Sequence, residues 1–278
     1  MILIAQISDL HLVSEGARCY ELVDTNELAR RAVNAINRLK TRPDAVIVSG
    51  DIIDTAKAAD YAVAQKILEQ LEMPFFPVSG NHDLSAGLKT TFSDHPFSAS
   101  PVPDRLCYGV DIGAIRLVTL DSSVPRAPHG ELSDAQLSFL DRELSSANER
   151  PAVVAVHHPP IATGNRSMDR FGLREPSRLA AVVGRHPNVL RILCGHCHRG
   201  VLGSFAGTMV AIAPAASHQL ELALDGDDTF GFNLEPPAFF LHRWTKTDGM
   251  TTQFAMVERY PGPYPFHWDK TSNPSSRE

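Results

Sequence analysis

What most constrains this chain is how its apolar runs end. MILIAQIS stops at Asp9-Leu10-His11, DAVIVS at Gly50-Asp51, FFPVS at Gly80-Asn81-His82-Asp83, IRLVTL at Asp121, AVVAV at His157-His158, and RILC at Gly195-His196-Cys197-His198. Each run has the length and β-branched content of a buried strand, and each is followed at once by groups that bind cations or carry protons. Helical patterns lie between them. Leu28, Ala32, Ile36 and Leu39 recur at helical spacing after Asp24 and Glu27, which can cap a helix; Tyr61 to Leu71 forms a second pattern closed by Pro74; SDAQLSFLDREL opens on a capping serine. Strands alternating with helices predict an α/β fold, and open α/β sheets keep ligands beyond the carboxyl ends of their strands. The polar clusters are therefore expected to converge.

Composition narrows the rest. The chain has 278 residues, 43% hydrophobic and 21% charged, with a formal net charge of −6. That is enough for one large domain or a domain with an appendage, and its acidity argues against a broad grip on a nucleic acid polymer. MILIAQIS is too short to span a membrane and has no basic lead-in, so it reads as a core strand; no membrane partner is expected and the location is expected to be cytoplasmic. The cysteines, Cys19, Cys107, Cys194 and Cys197, are too few and too irregular to staple the chain and are expected as free thiols. Beyond His198 the pattern changes to short β-like stretches (TMVAIAP, AFFLHRWT, TTQFAMVE) broken by a polar segment and by Pro236-Pro237. This shift predicts a catalytic domain over 1–199, completed by 256–278, and a β-rich cap over 200–255.

Taken singly, the polar residues have ordinary readings. Asp9 and Asp51 suit turns and caps, and His157 suits a hydrogen-bonded strand end. Cys197 sits between two histidines that an extended segment turns the other way. Asp54 and Asp83 suit the orienting of ligands better than metal binding. Taken together, Asp9-Leu-His11, Gly50-Asp51-Ile-Ile-Asp54, Gly80-Asn81-His82-Asp83, His157 and Gly195-His196-Cys-His198 form an ordered series that resembles the calcineurin-like metallophosphoesterases. The resemblance implies a four-layer αββα sandwich with two divalent ions: Asp9, His11 and His198 on one, Asn81, His157 and His196 on the other, and Asp51 bridging both. Carboxylates, an amide oxygen and imidazoles suit iron, manganese, zinc or cobalt better than calcium. His82 would steady the phosphoryl group and protonate the leaving alkoxide.

Within that family, Asp54 stands where purple acid phosphatases carry a tyrosine ligand, and Ser79 stands where protein Ser/Thr phosphatases carry an arginine. The ISDLHL, SGNHD, HHPP and PGPY stretches resemble the glycerophosphodiester and cyclic-nucleotide phosphodiesterase branch. This implies a dinuclear-metal phosphodiesterase acting on small phosphodiesters such as glycerophosphodiesters, through attack by metal-activated water, with homodimers or higher homo-oligomers formed through the cap. Tyr20, Asn165 and His218, with Asn81 and His82, are the candidate substrate-binding residues. Three alternatives stay open: a 3′,5′-cyclic-nucleotide phosphodiesterase, a phosphomonoesterase at the same site, and a non-catalytic metal-binding scaffold.

Overall fold

A computed structural model describes residues 1–224 and 230–264. Two sheets form its centre. The first contains β1 (Ile2–Ile7), β2 (Ala45–Val48) and β3 (Phe75–Pro77), parallel to one another; α1 (Thr25–Asn37) and α2 (Ala58–Leu68) connect them. After α3 (Ser85–Thr91) the chain enters the second sheet through β4 (Tyr108–Ile112), which pairs antiparallel with β5 (Ile115–Leu120). Then follow α4 (Asp134–Ser146), β6 (Ala152–Val156), the short α5 (Arg166–Asp169), α6 (Pro176–Val183) and β7 (Val189–Cys194), with β5, β6 and β7 parallel.

Burial alternates along the strands with a period of two. Val153 and Ala155 of β6 and Leu193 of β7 pack in one cluster with Ile4 and Val46 of the first sheet, whereas Val154, Val156, Ile192 and Cys194 pack with Leu137, Leu140 and Leu144 of α4 and Leu179 and Val183 of α6. Ala29, Ala32, Val33 and Ile36 of α1 close the opposite side of the first sheet. The layers therefore run helix, sheet, sheet, helix. Strands covered on both faces must be apolar throughout, which is why their sequences read as unbroken runs.

The stretch expected as a separate cap is placed differently. β8 (Val201–Phe205) and β9 (Thr208–Ile212) complete the second sheet, whose order is β4-β5-β6-β7-β9-β8. β10 (Gln219–Leu220) and β11 (Phe232–Asn233) form a two-stranded ribbon, and β12 (Ala238–Thr245) and β13 (Gly249–Met256) complete the first sheet in the order β13-β12-β1-β2-β3. Among the described strands in 200–255, the ribbon alone stands apart from the central layers. An antiparallel hairpin adds strands to a sheet edge without a crossover helix, so a lost βα rhythm marks the sheet edges here and not a new unit. The polar stretch 225–229 and the terminal segment 265–278 lie outside the described residues. The four cysteines are free and buried. Among the described residues no helix is long and apolar enough to cross a membrane.

Candidate metal centre

The carboxyl ends of β1, β2 and β3 meet those of β6 and β7 at one edge of the sandwich. The loops after β1 and β2 run side by side: Asp9 N–H donates to Gly50 O and His11 N–H to Asp51 O, each at 3.0 Å. Two glycines allow the approach. A Cβ on Gly50, which sits at φ +100°, would collide with the His157 ring, and one on Gly80 would collide with the Asp51 carboxylate. Five of the seven residues expected as ligands, Asp9, His11, Asp51, His196 and His198, have left-handed backbones with φ between 46° and 72°. Non-glycine residues persist there only where the surroundings hold them, and such strain clusters at functional sites.

The side chains converge. His11 Nε2 lies 3.0 Å from His198 Nε2, and His198 Nε2 lies 3.6 Å from Asp9 Oδ1. On the other side Asn81 Oδ1 is 3.0 Å from His196 Nδ1. Asp51 stands between the groups, its Oδ2 3.8 Å from His11 Nε2 and 3.3 Å from His157 Nε2. The far ring nitrogens are held by oxygens: His11 Nδ1 by Asp54 Oδ1 at 3.1 Å, His157 Nδ1 by Ser49 O at 2.8 Å, and His198 Nδ1 by His218 O at 2.9 Å. This is the arrangement in which an imidazole presents its Nε2 to a cation while its other N–H is tied down.

The electrostatics fit a cation site. Burial raises the Asp51 carboxyl, but the imidazoles of His157, His82 and His11 outweigh it and hold it well below the usual carboxylate range. Burial lowers His157, yet the Asp51 and Asp9 carboxylates drive it up to about 9. Burial, with His157 adding to it, pushes His196 down to about 3. Nε2 of His196 is buried without a hydrogen-bond partner, and the buried Nε2 of His157 has the Asp51 carboxylate at 3.3 Å without well-formed hydrogen-bond geometry. Orphaned buried nitrogens are costly, and the donor set of imidazoles, carboxylates and an amide oxygen matches first-row divalent ions. The residues present therefore fit a metal pair.

Asp83 supports the turn from beneath. Its carboxylate accepts from the backbone N–H groups of Gly80, Ile52 and Ile53, tying the loop after β3 to the loop after β2. Burial first, then the nearby Asp51 charge, raises its pKa to about 6.

The family description "Calcineurin-like phosphoesterase" matches residues 2–200. This chain belongs to the calcineurin-like phosphoesterases. Among relatives of this phosphoesterase, a probable glycerophosphodiester phosphodiesterase GpdQ from Arcobacter nitrofigilis is 33% identical over 269 residues, spanning 96% of this chain and 98% of its own. A 3′,5′-cyclic adenosine monophosphate phosphodiesterase CpdA from Pseudomonas aeruginosa is 34% identical over 225 residues, covering 78% of this chain and 79% of its own. In fold, the phosphoesterase is similar to a dimetal phosphatase from Danio rerio, with a TM-score of 0.68 and 16% identity over 92% of this chain and 96% of that one.

Above this cluster of histidines and carboxylates the phosphoesterase opens into a cleft of about 450 Å³. His82 lies at its edge, with Nδ1 2.8 Å from Asp54 O. Tyr20 and His218 line it, their rings 5.4 Å apart and edge to face. Asn165 is not among the lining residues; it caps α5 by accepting from Met168 N–H at 3.0 Å and leaves its buried Nδ2 without a partner. His158 is also occupied, its Nδ1 2.7 Å from Ser122 Oγ and its Nε2 3.2 Å from Pro128 O. Cys197 packs into the core below α4 and α6.

Two features escaped the sequence. One is the pair of backbone carbonyls, Ser49 O and His218 O, that orient the rings of His157 and His198. The other is the apolar wall of the cleft, made by Met168, Phe171, Leu220, Phe230 and Phe232. A carbonyl has no residue signature, and apolar residues at loop positions read as packing.

Proposed function

We propose that this chain is a two-metal phosphodiesterase that hydrolyses small phosphodiesters to a monoester and an alcohol. The observation that carries the reading is the position of Asp51 Oδ2, within 3.8 Å of His11 Nε2 and 3.3 Å of His157 Nε2, so that one carboxylate serves two clusters. Asp9, His11 and His198 would hold one ion, Asn81, His157 and His196 the second, and Asp51 both. Bound there, two ions supply Lewis acidity to the phosphoryl oxygens and bring the pKa of water toward neutrality. His82 Nδ1–H donates to Asp54 O, so the ring as imidazolium would carry its second proton on Nε2, from which it would pass to the departing alkoxide and leave the neutral imidazole. Iron, manganese, zinc and cobalt all suit these donors.

The cleft favours diesters over monoesters. Among the described residues no lysine or arginine lines it, so the second negative charge of a monoester finds no compensating side chain there, while the apolar wall suits an esterified alcohol. Glycerophosphodiesters are the leading substrates. The 3′,5′-cyclic nucleotides form a second reading, favoured by the Tyr20 ring stacked on Phe232 at 5.0 Å, a surface suited to a planar group. A metal-binding scaffold without turnover would not need His82 tied in this way. Tyr20 and His218 are proposed to contact substrate; Asn165 would do so only through its free amide. The exposed Leu222, Leu224 and Leu234 in 200–255 support a homo-oligomeric contact on that side. A cytoplasmic location and a small-molecule substrate complete the reading.

Hydrolysis of bis(p-nitrophenyl) phosphate tests it directly. Activity should vanish on chelation and return with manganese; no turnover with any added divalent ion would overturn the proposal.

A further inference from the structure

The ribbon of β10 and β11 is too short to hold itself. Among the described residues it pairs Gln219 with Asn233 and Leu220 with Phe232, with one further bond from Glu221 N–H to Gly231 O, and an isolated two-stranded hairpin of that length does not repay the entropy of ordering it. Yet it carries Leu220 and Phe232 into the wall of the cleft, where Phe232 stacks on Tyr20 and meets the His218 ring edge-on at 4.9 Å. Something outside the ribbon must fix it.

The loop of ligands does so at two consecutive residues. His198 Nδ1 lies 2.9 Å from His218 O, immediately before β10. Arg199, the next residue, donates from Nη1 to Leu220 O at 2.6 Å and to Glu235 Oε2 at 2.8 Å. Glu235 lies just beyond β11, so one guanidinium spans both strands. Its Oε1 accepts from Asn233 Nδ2 at 3.1 Å, and Asn233 Nδ2 also reaches Glu221 at 3.0 Å. The Glu235 carboxylate is about half exposed, so the ion pair by itself contributes little; the Arg199 side chain is only 20% exposed, and its charge-assisted bond to a backbone carbonyl is the stronger link.

The geometry points to Arg199 as a positioning residue for substrate specificity: it clamps the ribbon to the ligand loop, and so sets the apolar wall against which the ester group of a diester packs. This rests on the phosphodiesterase reading above. Arg199 is not among the residues lining the cleft, so its effect reaches substrate through Leu220 and Phe232 and falls on binding more than on the chemical step.

Two measurements on the full-length, metal-loaded protein decide the matter, with Arg199→Met and Glu235→Gln as the variants. Amide hydrogen exchange at Glu221, whose N–H is bonded to Gly231 O, should quicken about tenfold or more in Arg199→Met while amides of β6 and β7 keep wild-type protection. KM for bis(p-nitrophenyl) phosphate should rise roughly tenfold in Arg199→Met, and in the same direction by less in Glu235→Gln, with kcat within about twofold and metal stoichiometry unchanged. Unchanged exchange at Glu221 overturns the clamp. So does a fall in kcat or in bound metal as large as the change in KM, which would mean that Arg199 acts on His198 and not on the wall. If the wild-type protein turns over no diester, the functional reading falls by itself, and the exchange experiment still decides the clamp.

Discussion

At the scale of single residues, Asp51 has the most to lose. Its Oδ2 faces two imidazole nitrogens, while its Oδ1 accepts from the His82 N–H at 2.9 Å. Asp51→Ala should therefore leave at most one ion bound per chain, and elemental analysis of the purified variant that found two would contradict the bridging role. His82→Ala is different in kind. It removes the proposed proton donor, which packs edge-on against the His11 ring at 4.6 Å but is not itself a proposed ligand, so the variant should keep its metals and lose about 10²- to 10⁴-fold in kcat on diesters of alkyl alcohols. With p-nitrophenyl esters, whose leaving group needs no proton, the loss should be much smaller. Equal losses on both would remove His82 from that role. The proposed ligand residues were legible as an ordered set, each after an apolar run, although each alone suits a turn, a cap or a strand end. The residues that aim them were only half legible: Asp54 and Asp83 are carboxylates near the motif, but the Ser49 and His218 carbonyls are contributed by the backbone.

At the scale of elements, caps explain what sequence reading could find. α1 begins at Thr25 because the Asp24 carboxylate accepts from Glu27 N–H at 3.0 Å. α4 begins at Asp134 with a reciprocal pair, Ser133 Oγ accepting from Gln136 N–H at 3.4 Å and Gln136 Oε1 accepting from Ser133 N–H at 3.1 Å. Ser133→Ala should cost about 1 kcal/mol, which for a chain of this size lowers the melting temperature by roughly 2–4 °C. Calorimetry should show that shift with diesterase activity intact at 25 °C; no shift would mean that packing of Leu137 and Leu140 alone sets the helix start. Among the elements that the sequence pattern does not predict are α3, α5 and β4. α3 starts at Ser85 with no side-chain cap, α5 is a single turn, and β4 is half exposed along its middle, so none offers a strong period. The β-rich stretch 200–255 was read as a unit of its own because hairpins lack helices between strands, yet Val210 and Ile212 face one cluster and Ala211 the other, as a central strand requires.

At the scale of the whole molecule, the two sheets are joined beneath the site by buried polar groups. Gln6 of β1 donates from Nε2 to Ser49 Oγ at 2.9 Å and to Cys194 O at 2.8 Å, and its Oε1 lies 3.0 Å from His242 Nε2 of β12. Burial first, and then the charge of Arg191, pushes His242 down to about 3. In the unfolded chain this ring protonates near pH 6.5. Between those values the unfolded state binds more protons, so stability falls as pH drops from about 6.5 toward 3, by up to about 1.4 kcal/mol per pH unit for this group. Urea unfolding of the metal-free protein at pH 7.5 and 5 should show the wild type losing about 2 kcal/mol more than His242→Asn. Equal losses would mean that the ring is not held neutral.

The sequence by itself determined the chemistry and the family: which side chains follow each buried run, in what order, and with which small residues beside them. Those features are local, and local features are written directly in residue type and spacing. Only the tertiary structure decided that the late hairpins extend both sheets, that Phe232 rather than Asn165 walls the cleft, and that Arg199 spans the ribbon. Each of these depends on contacts between residues far apart in the chain or on backbone carbonyls, and neither leaves a mark in a single sequence.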